Sequence, residues 1–332
     1  MMDEFTLIEQ IKQKTYRQQS LIKGVGDDAA VFRLYNKDTV IAVDTFVEGV
    51  HFTRETLTPK QIGYRVLAVN MSDIAAMGAT PLYYLVSIVI PGSWDNESVK
   101  QIFSGMDELA ERYALDLIGG DTVSGHELVI AVTIIGSVAG GKARYRHHAK
   151  PGDVVFVTGT VGDARAGLDV LLRQTKLPEN ATESIIYPLI TRHQRPEPRV
   201  EFAQQLKHID RVALNDISDG LANELHEIAE SSHVMIDIED AAVPISEGLQ
   251  RWDIAQQFDY KFFGGEDFEL VGTVSRDNFS TVQAVGVQLG VKVSEIGKVS
   301  YNRERNERVL LFRHGTWQPL LKRGYVHRSR ET

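Results

Sequence analysis

Apolar positions in the first third of the chain switch between two periods, and the switches mark the elements. Phe5, Ile8, Ile11 and Tyr16 recur at near-helical spacing and predict a first helix over 3–18. Beyond the Gly24-Val-Gly26 turn, AAVFRL and TVIAVD read as two short strands joined by the polar NKD turn. Thr58-Pro59-Lys60-Gln61 is a helix start. Thr58 caps, Pro59 suits the first helical position, and Gln61 closes a capping box. The helix should run to about Ala76 and stop at Gly78, with Pro81 following. YYLVSIVI is a buried-strand run, 95–113 a second amphipathic helix, and DLIGG and LVIAVTIIGSV further strands. This order, ββαβαβ-like with short links, predicts a split α+β sandwich.

The pattern breaks at GGKARYRHHAKPG, which carries Lys142, Arg144, Arg146 and Lys150 around His147 and His148. Residues 141–152 are therefore expected to link an N-terminal domain (1–140) to a C-terminal one (153–332). VVFVTG then opens an alternation of strands and helices. Helices are expected at 162–174, 199–208, 219–231, 246–256 and 276–289, with a Pro-punctuated loop through RPEPR. Strands are expected at 212–215, VMIDI, 268–274, and near 291–298 and 308–313. The predicted class is α+β followed by an α/β domain.

Composition narrows the function. With 332 residues, 43% of them hydrophobic and 24% charged, the chain can build full cores. Its 36 lysines and arginines against 45 aspartates and glutamates leave a net charge of −9, which argues against nucleic acid or an anionic membrane as partner. The absence of cysteine removes disulfides, thiolate metal sites and cysteine nucleophiles. The acidic start does not read as a signal peptide, and no apolar run has the length of a membrane span, so a cytoplasmic protein is expected.

Carboxylates beside glycines or at element ends are the candidate chemistry: Asp27 and Asp28 in GVGDD, Asp44 in VDTF, Asp73 in NMSDIAAMGA and Asp121 in GGDT. Asp216 and Asp219 in NDISDG, and Glu266 and Asp267 in GGED, complete the set. Singly, each is a common turn or cap residue, and Asp219 could cap the helix after it. Gathered together, they would repel by about 4 kcal/mol per pair at ~4 Å and an effective dielectric near 20. Such a set calls for hard cations, Mg²⁺ or Ca²⁺, and these would also supply the counter-charge for a bound polyanion.

Two nucleotide motifs fail on context. Gly24-x-Gly26-x-x-Ala29 matches a dinucleotide fingerprint, but Asp27 and Asp28 occupy the pyrophosphate position and a strand follows instead of a helix. Gly136-x-x-x-x-Gly141-Lys142 ends in Ala143 and lacks the P-loop hydroxyl. His226-Glu227 has no second histidine four residues on, so it is not a zinc-protease motif. Arg146 is the linker residue best suited to a phosphate. His51 stands out for its closeness to the acidic loop, and Trp252 and Trp317 read as packing residues.

GVGDDAAV, VDTFVEGVHF, AVNMSDIAAMGATP, LIGGDT, KPGDVVFVTGTVGDARAGL, NDISDGL and GGEDFEL follow one another along nearly the whole chain. In this combination the sequence resembles the thiamine-monophosphate kinase family, within the ATP-binding superfamily that includes aminoimidazole ribonucleotide synthetase. The resemblance implies ATP and several Mg²⁺ ions without a P-loop, and a homodimer formed through the N-terminal sheet. It implies metal binding by Asp28, Asp44, Asp73, Asp121, Asp216 and Asp219, and nucleotide contacts by Gly120, Asp121, Arg146 and Ser218. It also implies contacts of His51, Glu266 and Tyr325 with thiamine monophosphate, and no catalytic side chain beyond metal-assisted in-line transfer. The chain departs from the family pattern at Ala42-Val43, where a hydroxyl is common, and at Arg328, where an aromatic is common. Cysteine-dependent sister activities are set aside. An aminoimidazole ribonucleotide synthetase-like enzyme, or a non-enzymatic acidic divalent-cation-binding protein, are the alternatives.

Overall fold

The structure, a computed structural model, describes residues 15–23, 31–32, 36–178, 181–301 and 308–324. It divides into two compact units: one formed by the chain up to Ile74 with Ala79–Ala143, the other by Ala75–Gly78 with Arg144 onward.

In the first unit, β1 (Leu21–Lys23) pairs antiparallel with β2 (Val31–Phe32). Then come β3 (Lys37–Val47), α1 (Pro59–Ala76), β4 (Thr80–Pro91), α2 (Asn96–Tyr113), β5 (Asp116–Gly125) and β6 (Val129–Ala139). The four longer strands form one sheet in the order β3-β6-β4-β5. β6 is antiparallel to both β3 and β4, so β3–α1–β4 is a βαβ unit split by an inserted strand, whereas β4 and β5 are parallel neighbours joined through α2.

The capping box forms. Gln61 Oε1 accepts the Thr58 N–H at 2.9 Å and Thr58 Oγ1 accepts that of Gln61 at 3.3 Å. Most of α1 is buried, Ile62, Val66, Leu67, Met71 and Ile74 completely, as a helix must be when it is covered on more than one side. A Cβ on Gly63 would lie 1.7 Å from the Ile102 carbonyl oxygen, and one on Gly105 1.9 Å from that of Lys60. α1 and α2 therefore touch backbone to backbone, at positions where only glycine fits.

Two expectations change here. Residues 15–18 form bends and not helix, because the Arg17 and Gln18 N–H groups donate to the Asp116 carboxylate, each at 2.7 Å. The remainder of 3–18 up to residue 14 lies outside the described residues. The strand at Val31–Phe32 pairs with β1 and not with β3, whose ladder partner is β6 along its whole length.

The second unit runs β7 (Val154–Thr158), α3 (Asp163–Leu171), α4 (Glu183–Gln194), α5 (Val200–Gln205), β8 (Val212–Asp216), α6 (Leu221–Ser232) and β9 (Met235–Glu239). It continues with α7 (Ile254–Phe263), β10 (Leu270–Val274), α8 (Arg276–Leu289), β11 (Val293–Ser300), β12 (Val309–Arg313) and β13 (Thr316–Pro319). Seven strands form one sheet in the order β13-β12-β9-β11-β7-β10-β8, antiparallel except between β9 and β12. Leu221, Leu225 and Ile228 of α6 share a core with Val155, Ile236, Val271 and Ile296 of the sheet. Arg144, buried, donates to the carbonyls of Leu206 (2.6 Å), Ile209 (2.7 Å) and Asp210 (3.2 Å), and so closes the turn that ends α5.

Three further expectations are corrected. The stretch read as a Pro-punctuated loop contains α4 despite Pro188, since α4 packs on α3 so closely that a Cβ on Gly167 would lie 2.1 Å from the Leu189 carbonyl oxygen. The helix expected over 246–256 is a short 3₁₀ turn, Leu249–Arg251, followed by α7. Asp253 decides that start, its carboxylate accepting the Ala255 and Gln256 N–H groups at 3.0 Å. Trp252 is buried as expected, but Trp317 is 49% exposed and leans on Phe312 at the edge of the sheet.

Candidate active site

In the first unit Asp44 and Asp73 come together. Asp44 lies in β3 with its N–H donating to Asn70 Oδ1 at 3.0 Å, and its carboxyl meets that of Asp73 farther along α1. Burial pushes the Asp44 pKa up, against the pull of the Asp73 hydrogen bond and the nearby His51. His51 is held in place: Nδ1 accepts the Val47 N–H at 3.1 Å and the ring stacks on Phe46 at 5.3 Å. Its Nε2 is left as the ring donor.

Asp121 stands apart from this pair. The ladder aligns Asp44, Val132, Val86 and Gly120 in one row, and Thr45, Ala131, Ser87 and Asp121 in the next. Successive residues point to opposite faces, so Asp121 lies on the other face of the sheet from Asp44. It is exposed, and its Oδ1 accepts the Thr122 N–H at 3.0 Å. A Cβ on Gly120 would lie 1.9 Å from the Val86 carbonyl oxygen, so this glycine of the GGDT motif is required by β4.

In the second unit the NDISDG and GGEDFEL motifs form one paired loop. The Ile217 N–H donates to the Glu269 carbonyl at 2.8 Å, Phe268 to Ile217 at 3.0 Å, and Glu266 to Ser218 at 2.7 Å. Glu266 (φ +72°), Phe268 (φ +51°) and Gly220 (φ +115°) all lie at positive φ, a local strain that the surrounding structure maintains. The N-cap of α6 is Gly220, and the N–H of Asp219 before it donates to Glu224 at 3.2 Å. Glu224 also accepts from Asn215 Nδ2. Burial, reinforced by the Asp216 charge, pushes the Glu224 pKa up to about 8. Arg146, half-exposed, reaches the same corner: Nε donates to Asn215 Oδ1 at 3.1 Å and a terminal nitrogen to Glu227 at 3.3 Å.

Behind Glu266 lies a buried charge network. Asp267 accepts the Gly162 and Ala164 N–H groups at 2.6 and 3.0 Å, at the start of α3. Burial and the adjacent Asp163 nevertheless push its pKa up to about 7. Glu269 behaves oppositely. Burial acts to raise it, but Arg192 (2.5 Å) and Arg199 (2.5 and 2.7 Å) outweigh burial and hold it at about 2. His193, buried, stands 3.7 Å from Glu266. Beside Gly264, a cavity of about 430 Å³ is walled by Arg165, Tyr260, Phe263 and Arg323 among others.

Asp28 and Tyr325 lie outside the described residues. Among the described residues, no three His, Asp or Glu side chains gather into a metal-holding group. Sequence reasoning missed Glu224, Arg192 and Arg199, and passed over Asn215 within the NDISDG motif. Nothing in the local pattern of the three charged residues distinguishes them from solvated charges; only the fold gives them their partners.

Residues 26–138 match the family model of the AIR synthase related protein N-terminal domain, and residues 150–307 that of its C-terminal domain. A thiamine-monophosphate kinase from Bacillus subtilis (strain 168) is 45% identical over 329 residues, 98% of this chain and 99% of the relative. The crystal structure of thiamine-monophosphate kinase from Stenotrophomonas maltophilia K279a aligns with a TM-score of 0.84 at 32% identity, covering 93% of this chain and 96% of that one. A structure described as AaThiL complexed with AMPPCP and TMP aligns with a TM-score of 0.74 at 29% identity, covering 98% of each chain. The class is thus that of the AIR synthase related proteins, built from both of their domains. Within it, the chain belongs to the thiamine-monophosphate kinase family.

Proposed function

We propose that this protein transfers the γ-phosphoryl group of ATP to the phosphate of thiamine monophosphate, giving thiamine diphosphate and ADP. The observation that carries the reading is full-length kinship with a thiamine-monophosphate kinase at 45% identity. An acceptor-phosphate oxygen bonds to the γ-phosphorus as the bond to the bridging oxygen of ADP breaks. The second pKa of a phosphate monoester is near 6, so the acceptor is mostly dianionic at neutral pH and needs no general base. The task left to the protein is alignment and charge compensation between two polyanions.

The all-oxygen character of the acidic set suits Mg²⁺. Asp28, Asp44, Asp73, Asp121, Asp216 and Asp219 are the residues proposed to hold several such ions, Asp121 on the sheet face opposite Asp44, and bound Mg²⁺ would supply positive charge that screens the phosphates. The Asp44–Asp73 pair supports this: burial raises the Asp44 pKa against the Asp73 hydrogen bond, and a cation beside the two carboxyl groups would favour their charged forms. Gly120, Asp121, Arg146 and Ser218 are assigned to ATP. His51, Glu266 and Tyr325 are assigned to thiamine monophosphate. The cavity beside Gly264 supports an acceptor pocket at the GGED loop, with Arg165 and Arg323 as its cations.

The reading includes a homodimer. Ile41 (64% exposed), Val43 (60%) and Val123 (47%) lie on the sheet face opposite α1, an apolar surface that a second copy would cover. It also includes a cytoplasmic setting. No helix among the described residues is long and apolar enough to cross a membrane. Incubation with ATP, Mg²⁺ and thiamine monophosphate, read by mass spectrometry, tests the reaction; folded protein that forms no thiamine diphosphate would refute it.

A further inference from the structure

The seven-stranded sheet has a second acidic feature, far from the motif loops. Asp237 of β9 is 6% exposed, yet it has no hydrogen-bond or ion-pair partner among the described residues. Its carboxylate oxygens are not sealed off, so what little of Asp237 is exposed opens onto the cavity it lines. Asp237 lines a cavity of about 300 Å³ that also includes Glu239, Glu295, Arg276, Lys298 and Trp317. Arg276 and Glu295 already satisfy each other through two bonds of 2.7 Å. Lys298 faces Asp237 across the β9–β11 ladder, but it is exposed and forms no ion pair with it. What remains is a buried carboxylate, a second one two residues along the same strand face, and a half-exposed indole held against Phe312 at 5.1 Å.

We propose that this cavity is a binding site for a small organic cation, an ammonium group carrying an apolar body, with its charge on Asp237 and its apolar part on Trp317. An indole face attracts such a cation, and the attraction strengthens where water is excluded. Three carboxyl groups that fail to gather around one point favour an organic cation over a metal ion. The site is separate from the proposed phosphoryl-transfer loops: β9 is four strands from β8, about 19 Å across the sheet.

Choline and its uncharged isostere 3,3-dimethylbutanol test the proposal, titrated into the full chain by calorimetry with Trp317 fluorescence as a second readout. Choline is expected to bind saturably and the isostere at least tenfold more weakly. Asp237→Asn and Trp317→Phe should each weaken choline at least threefold, with the thermal melt recorded to confirm folding. Lys298→Ala, which removes a like charge, should leave choline binding intact or strengthen it. Equal binding of choline and its isostere, or no saturable choline binding, would overturn the proposal. So would choline binding that appears only in Lys298→Ala, because Lys298 would then be the natural occupant.

Discussion

The backbone N–H of Glu266 donates to the carbonyl of Ser218 at 2.7 Å, while Glu266 itself holds a φ of +72°. That bond fixes the GGED loop to the NDISDG loop and sets the direction of the Glu266 side chain, with His193 at 3.7 Å. Glu266→Gln keeps the backbone bond and removes the charge. KM for thiamine monophosphate is expected to rise about tenfold, equivalent to ~1.4 kcal/mol, with the melting temperature little changed. An unchanged KM in steady-state kinetics would remove Glu266 from the acceptor site.

Asp121 offers a separate test of the metal assignment. Its Oδ1 accepts the Thr122 N–H, a local contact that asparagine can also make. Asp121→Asn should therefore change apo stability by less than about 1 kcal/mol. Turnover and apparent Mg²⁺ affinity are expected to fall together, by at least about tenfold. Activity across a Mg²⁺ titration, with apo thermal melts alongside, separates this from a turn residue, for which neither quantity would move.

Glu224 links stability to pH. Its folded pKa is raised to about 8 from an ordinary 4.5 by burial and Asp216. A raised acid binds its proton more tightly when folded, so its contribution is complete below about 4.5 and is lost as pH rises through about 8. Glu224→Gln removes that dependence. Compared with the parent, this variant should gain relative stability steadily between pH 5 and 8 and level off above that, measured by urea unfolding. A constant difference across that range would contradict the assignment.

Glu269 has the opposite sign. Its pKa is held at about 2 between Arg192 and Arg199, so its stabilisation is present above about 4.5 and is lost as pH falls through about 2. Glu269→Gln leaves two guanidinium groups without their shared carboxylate. A loss of about 3–5 kcal/mol in denaturant unfolding at pH 7 is expected, as when a buried pair loses one member.

Val43 tests assembly. It is 60% exposed on the apolar sheet face, where a charge costs the isolated chain little. Val43→Asp should shift sedimentation toward the monomer while leaving the circular dichroism spectrum unchanged. A parent protein already monomeric at micromolar concentration would remove the dimer from the reading.

Local chemistry determined what the sequence revealed. The Thr58–Gln61 box, the Gly78 stop, the buried strand at YYLVSIVI and the split order of the first unit all follow from contacts within a few residues or from periodicity. The acidic motifs were legible because glycine and aspartate mark turns in any fold. Only tertiary structure set Asp121 and Asp44 on opposite faces, because that depends on the register of four strands. It alone maintained α4 through Pro188, where packing on α3 outweighs the propensity of the segment. Arg192 and Arg199 reach Glu269 across seventy or more residues of chain, and Asp267 reaches the start of α3 across more than a hundred. Such electrostatic pairings depend on distance in space and on burial, neither of which is visible along the chain.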